Sequence, residues 1–170
     1  LLRLDDDSVL YDSPLNEEGL AQARELNDLL ENYRGEHLGD VQAMRDPSKS
    51  VVCSSNLRRA AQTILLGLKN RLDASDEKIQ CLTSLQEIST NVDTLSITPP
   101  HKAPRHLGTG VPARLAHGDR WDPSLNSGNK RLRGRGLERL QAFAEWASQQ
   151  DKPVVVGGHS LFFRGFFREF

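Results

Sequence analysis

Two apolar segments of the sequence each end on residues that can bind an anion. The first, residues 51–53, leads into polar residues 54–56 and then into Arg58 and Arg59, at the start of a predicted helix. Free backbone N–H groups at a helix N-terminus, the helix dipole and guanidinium groups together favour phosphate. This turn is therefore a candidate anion site. The commoner alternative is a capping turn followed by two solvated arginines.

The second segment is a run of three valines and two glycines at 154–158, followed by His159 and Ser160. Paired glycines let the backbone turn tightly beneath the imidazole ring. The Gly-His-Ser sequence is not a nucleophile elbow, because that motif requires serine at the apex of the turn. A single histidine at a strand end is more often structural. It becomes a candidate functional group if a second strand end directs an arginine towards the same crevice.

The elements that position these residues alternate between strands and helices. Asn16 is expected to cap a helix whose first turn is acidic, residues 57–72 keep helical spacing without a break, and residues 79–85 form a short strand before Glu87. A further helical stripe spans 137–147, ahead of the valine strand. This alternation predicts a three-layer α/β/α fold with a mostly parallel central sheet, in which ligands bind beyond the carboxyl ends of the strands.

The pattern is interrupted from about residue 91 to residue 129. Proline and glycine recur through this stretch and the apolar periodicity is lost. A loop of this length within a compact domain is commonly either a functional lid or disordered. We interpret it as an insertion within a single domain that covers residues 1–170.

Composition excludes several classes of protein. The formal net charge of −1 gives no global attraction to nucleic acid or to an anionic membrane, and the mean hydropathy is −0.53. No apolar run approaches the roughly 18 residues that a membrane span needs. Cys53 and Cys81 are too few for a secreted disulfide scaffold and are expected to be small buried residues, so a cytoplasmic location is the default expectation.

Two further groups of residues have alternative interpretations. The basic residues within 130–139 are most simply a solvated face, but they also suit a polyanion or RNA patch, or a substrate pocket for a ligand with more than one phosphate. His101, His106 and His117 lack companion ligands at a recognised metal spacing. No metal site is predicted there.

Four stretches of the chain, in order, resemble motifs of the histidine phosphatase superfamily, the phosphoglycerate mutase-like proteins. Residues 12–23 read D-S-P-L-N-E-E-G-L-A-Q-A and resemble the family's D-x-P-L-T-x-x-G-x-x-Q-A. Residues 55–63 resemble S-x-L-x-R-A-x-Q-T, residues 85–88 resemble L-x-E-I, and residues 155–160 with Arg164 resemble V-V-x-H-G-x-x-x-R. The resemblance spans most of the chain, and the second and fourth motifs are the most specific.

The resemblance implies phosphoryl transfer without a metal or other cofactor. Carried over by position, Arg59 clamps the phosphate, His159 is the second active-site histidine, assisted by Ser160, and Glu87 is the proton donor. The acid phosphatase branch has Asp after this histidine, so Ser160 favours the mutase-like branch. The implied function is hydrolysis of a small phosphorylated metabolite through a phosphohistidine, with no nucleic acid or membrane partner.

One motif of the family is not found in the sequence. The nucleophile in this family is the histidine of an R-H-G motif that ends the first strand, and no R-H-G occurs here. The partial matches at 105–107 and 116–118 follow the wrong elements. We therefore expect a fragment that lacks the first strand and a C-terminal tail, and that is inactive by itself. The alternative is a phosphate-binding pseudoenzyme that has lost the motif.

Overall fold

The computed structural model describes residues 11–108, 110–131 and 136–170. Within them a four-stranded sheet has the order β3-β2-β1-β4, and all three strand pairings are parallel. The strands are β1 (Val51–Ser55), β2 (Ile79–Leu82), β3 (Trp121–Asp122) and β4 (Val154–Gly157). The parallel α/β architecture predicted from the sequence is confirmed.

Seven α-helices lie in the described residues. They are α1 (Glu17–Asn32), α2 (Leu38–Arg45), α3 (Arg58–Gly67), α4 (Lys69–Asp73), α5 (Ala113–Ala116), α6 (Leu137–Ser148) and α7 (Ser160–Glu169). Asn16 caps α1 as predicted, by accepting a hydrogen bond of 2.8 Å from the Gly19 N–H. None of these helices is long and apolar enough to cross a membrane.

Helices cover both faces of the sheet because side chains alternate along each strand. Val52 packs with α1 and α3 on one face, whereas Cys53 packs with α6 and α7 on the other. Both cysteines are buried as expected, and burial raises the pKa of Cys81 to about 12. Two apolar cores thus hold the carboxyl ends of β1 and β4 side by side.

The helix predicted without a break over 57–72 is divided in two. Leu68 leaves helical geometry, at φ −113° and ψ 24°, and separates α3 from α4. Gly67 precedes the break, and a side chain at that position would meet Leu26 of α1 at 2.9 Å. Glycine lets the Leu26 side chain of α1 pack closely there, and glycine has weak helix propensity.

The long stretch from 91 to 129 is integrated into the fold over its described part. Leu107, Val111, Leu115 and Trp121 belong to the core shared by α1 and α3. The two-residue strand β3 falls in this stretch and was not predicted, because two residues carry no readable periodicity. A Pro- and Gly-rich composition therefore does not mark this segment as a detached loop.

Candidate functional site: a cationic cluster around a buried histidine

His159 lies at the carboxyl end of β4, where the chain turns into α7. Its side chain is buried, with 7% relative exposure for the residue. Its Nε2 is one of two buried side-chain polar atoms in the described residues without a hydrogen-bond partner, the other being the Trp121 indole nitrogen. A buried ring nitrogen without a partner carries a desolvation cost. A ligand that hydrogen-bonds Nε2 would remove that cost.

Three cationic side chains act on this histidine. Burial first, and then the charges of Arg59, Lys130 and Arg139, lower the pKa of His159 to about 3. The imidazole is therefore neutral at pH 7, so it can hydrogen-bond a phosphate but cannot add a positive charge to the site. The charge that attracts an anion comes from its neighbours.

Arg59 enters the cluster from the first turn of α3, directly after β1. Its Nη1 donates to the Asp93 carbonyl at 3.1 Å, and the described residues supply no acceptor for its other side-chain N–H groups. Arg58 differs from it, because its side chain donates to the backbone carbonyls of Asp12, His106 and Tyr11. Of the two adjacent arginines, only Arg59 acts on His159.

The sequence predicts free backbone N–H groups at the start of α3, and for the first residue of the helix, Arg58, this is wrong. The Arg58 N–H donates to the Asp12 carboxylate at 2.6 Å, so the chain itself supplies an anion at this terminus. The Ser55 hydroxyl accepts from the Leu57 N–H, and Asn56 is occupied in a buried amide cluster. The helix start is thus a capped structural turn that directs Arg59.

Glu87 is buried and its carboxylate faces the first turn of α7. Oε1 accepts from the Ile88 N–H at 2.8 Å and the Phe162 N–H at 3.0 Å, and Oε2 accepts from the Leu161 N–H at 3.4 Å. One oxygen is therefore held by two short hydrogen bonds and the other by a single long one. The same residue ties the loop after β2 to the helix that begins beside His159.

Lys130 and Arg139 hold the loop that carries Gln86 and Glu87 by donating to its backbone carbonyls. Lys130 Nζ donates to the Glu87 carbonyl and, at 2.6 Å, to Thr94 Oγ1, while Arg139 Nη1 donates to the Gln86 carbonyl. Burial, followed by the charge of Arg139, lowers the pKa of Lys130 to about 8. Sequence reasoning left open whether this basic stretch is solvated or lines a pocket. These two side chains turn inwards, whereas Arg133 and Arg135 lie outside the described residues.

A buried network of side-chain amides holds the loops of the site together. Gln86 Nε2 donates to Asn56 Oδ1 at 2.7 Å, and Gln86 Oε1 accepts from the Lys130 N–H at 2.8 Å. Asn56 Nδ2 also donates to Asn126 Oδ1 at 2.8 Å. The end of β1, the loop before Glu87 and the segment before Lys130 are thereby fixed to one another.

The remaining sequence candidates occupy other positions. Ser160 is exposed as the first residue of α7. His106 and His117, from the two partial R-H-G matches, are exposed, and His117 Nδ1 lies 3.1 Å from the Asp119 carboxylate. In the described part of the chain, no three His, Cys, Asp or Glu side chains converge as a metal site.

One cavity adjoins the cluster without being lined by His159. It has a volume of about 1530 Å³, and its wall includes Lys130, Arg139 and Trp146 but not Arg59, Glu87 or His159. The unpartnered ring nitrogen and the charges of Arg59, Lys130 and Arg139 coincide at His159 rather than in this cavity. Lys130 and Arg139 line this cavity and also act on His159.

Comparison with known families agrees with this geometry. A family model described as "Histidine phosphatase superfamily (branch 1)" matches residues 8–170. The chain belongs to the histidine phosphatase superfamily. No curated protein matches the chain. The superfamily consists chiefly of phosphatases and mutases, so membership supports phosphoryl-transfer chemistry in general.

Proposed function

We propose that this protein hydrolyses the phosphomonoester of a small metabolite through a phosphohistidine intermediate. The observation that carries the proposal is the unpartnered, buried Nε2 of His159 within reach of three cations. Fixed donors and cations in a dry site stabilise the charge that spreads over the phosphoryl oxygens during transfer. In this proposal the free N–H groups of Arg59 and the neutral His159 ring bind those oxygens.

The nucleophile is expected on a strand that pairs in parallel with β4. Within the described residues β4 is an edge strand, and its valines are only partly buried. A parallel strand on that edge would end beside His159, because parallel strands bring their carboxyl ends together. A histidine at that position attacks phosphorus, the bond to the leaving oxygen breaks, and water later releases phosphate from the imidazole.

Glu87 is the proposed source of the proton for the leaving oxygen. Its Oε1 is held by the two short N–H contacts, whereas Oε2 has only the contact of 3.4 Å and is the oxygen that would carry a proton. Replacement E87Q keeps an oxygen for the Ile88 and Phe162 N–H groups but removes the acid and the long contact with Leu161. We expect large losses with alkyl phosphates and small losses with aryl phosphates, whose leaving groups need little protonation.

The first test is binding of inorganic phosphate to the chain, by calorimetry without added metal. R59A and H159A should each weaken binding by about tenfold or more, since each removes a group that contacts the anion. R168A is the matched control, because it removes the same charge from the exposed last turn of α7. Equal affinity in the wild type, R59A and R168A would disprove the clamp.

A second candidate is a phosphate-binding protein without catalysis, favoured by the missing R-H-G sequence. The coding sequence upstream of Leu1 decides between the two. An apolar strand that ends in Arg-His-Gly predicts that the longer protein hydrolyses an aryl phosphate without added metal, and that R59A lowers the rate by orders of magnitude. A start codon without that motif excludes phosphohistidine catalysis and leaves the binding function.

Two of the basic residues behind the polyanion alternative for 130–139 are engaged within the fold, and Arg133 and Arg135 lie outside the described residues. Lys130 and Arg139 spend their donors on the backbone carbonyls of Gln86 and Glu87 instead of presenting them to solvent. A nucleic-acid surface requires cations that are free to pair with successive phosphates. This alternative stays a prediction, and for Lys130 and Arg139 we propose a role beside the phosphate site instead.

A further inference from the structure

Asp12 is a buried carboxylate that the proposed chemistry does not use. Its side chain is fully buried, and its backbone adopts a left-handed conformation at φ 46°. Burial raises its pKa, although hydrogen bonds and the charge of Arg58 oppose that effect. A residue held in this way carries a free-energy cost that other contacts must offset.

The carboxylate joins two separate segments of the chain. Oδ1 accepts from the Arg58 N–H at 2.6 Å, in the first turn of α3. Oδ2 accepts from the Ile97 N–H at 3.0 Å and from the Ser96 hydroxyl at 3.2 Å. Asp12 therefore fastens the start of α3 to the loop 93–98.

Both of these segments hold Arg59. Its backbone follows Arg58 in α3, and its guanidinium donates to the Asp93 carbonyl at the beginning of the same loop. We propose that Asp12 is a positioning residue that sets the orientation of the Arg59 guanidinium towards His159. The inference rests on the proposed phosphate-binding function for its significance, but it concerns the order of one side chain and can be measured without a ligand.

The contacts require a carboxylate at this position. Each oxygen accepts from a backbone N–H, so the amide of asparagine would have to turn its NH₂ group towards one of these donors in either orientation. Asparagine tolerates the left-handed backbone as well as aspartate does. D12N therefore breaks the link between the two segments at one of its ends, without the backbone strain that alanine would add.

The test is the Nε–Hε resonance of Arg59 in ¹⁵N-labelled protein, identified by its loss in R59A. In the wild type we expect a signal displaced from that of solvated arginines, because the Asp93 carbonyl holds the guanidinium in one orientation, and in D12N a signal that has shifted to the position of solvated arginines. N16A is the control, because Asn16 caps α1 through Gly19 and has a comparable role in stability. An unchanged Arg59 signal in D12N would overturn the inference.

Phosphate titration of single and double variants measures whether Asp12 affects binding through Arg59. D12N should weaken binding by about tenfold, as expected for a displaced clamp, and the double variant D12N/R59A should bind no more weakly than R59A alone. Independent, multiplying effects would contradict a role through Arg59. Failure of the wild type to bind phosphate would overturn the proposed function, while the resonance would still decide the role of Asp12. If D12N does not fold, S96A removes the hydroxyl that lies 3.2 Å from Asp12 Oδ2 and 2.8 Å from the Asn56 carbonyl, and it should shift the Arg59 signal in part.

Discussion

The described residues contain two cationic sites, one that has an ion pair and one that has none. On one side of the fold, Arg71 has a side chain only 1% exposed, and its Nε and Nη2 each lie 2.7 Å from a Glu77 carboxylate oxygen. Its other side-chain N–H groups donate to the Ser50 hydroxyl and carbonyl and to the Ala43 and Met44 carbonyls of α2. The charge of Arg71 is balanced and its donors are used.

Around His159, by contrast, three cations lie together without an ion pair. Within the described ranges, no carboxylate comes within 4.0 Å of a charged nitrogen of Arg59, Lys130 or Arg139. The nearby carboxylate of Glu87 is turned to the N–H groups of α7 instead. A carboxylate thus balances the charge of Arg71, whereas no described carboxylate lies within 4.0 Å to balance the three cations beside His159, and unbalanced charge is costly where it is buried.

The largest effect that this comparison predicts is on stability. R71M leaves Glu77 without its partner in a mostly buried position, so we expect a loss of about 3–5 kcal/mol in the free energy of unfolding. R59A removes a cation that has no ion pair and should change it by less than about 1 kcal/mol. Urea unfolding followed by circular dichroism measures both. Equal losses in the two variants would remove the distinction between the groups.

A second prediction uses the pH dependence of His159. Because its pKa is lowered to about 3 in the fold and is near 6.5 when unfolded, its contribution to stability is fully present above pH 6.5. That contribution is lost as the pH falls towards 3. H159N cannot be protonated, so urea unfolding at pH 7, 5.5 and 4 should show the wild type losing stability relative to H159N. Parallel curves would show that His159 is not held neutral by its neighbours.

The smallest predicted effect concerns Lys130, whose pKa of about 8 lies below its ordinary value of 10.5. Above pH 8 it loses its charge in the fold, so phosphate affinity should fall roughly two- to threefold, an effect typical of one partly screened cation. Stability should rise between pH 8 and 10.5, because the unfolded chain still binds that proton. K130M should remove both trends. Calorimetry and urea unfolding at pH 7, 8 and 9.5 measure them.

The sequence alone identified the architecture and the strand ends of the site, because both depend on local patterns. Arg59 and His159 follow short apolar runs, and parallel strands bring such ends together. The break at Leu68 and the two-residue β3 were not predicted, since each depends on tertiary packing rather than on periodicity. For the same reason, the cap of α1 could be predicted from the sequence and the contacts that cap α7 could not. Asn16 precedes its helix, whereas Glu87 is distant in sequence from the N–H groups it binds.

Lys130 and Arg139 show the main limit of sequence reasoning at the site. Exposed and buried basic residues have the same appearance in a sequence, and only burial against the Gln86 and Glu87 carbonyls distinguishes them. Asp12 carried a detectable signal, as the first residue of the motif at 12–23. Its cap on Arg58 depends on a contact between residues 46 positions apart, which no local pattern encodes.

The order of strands in the sheet also bears on how the site assembles during folding. β1 pairs with β2 across about 27 residues, as between Cys53 and Gln80, but with β4 across about 103, as between Val51 and Val154. Pairings distant in sequence close slowly, because loop entropy is lost before contacts compensate it. We therefore expect the half of the site that carries Arg59 to form early, and the half that carries His159 to join it in a late step.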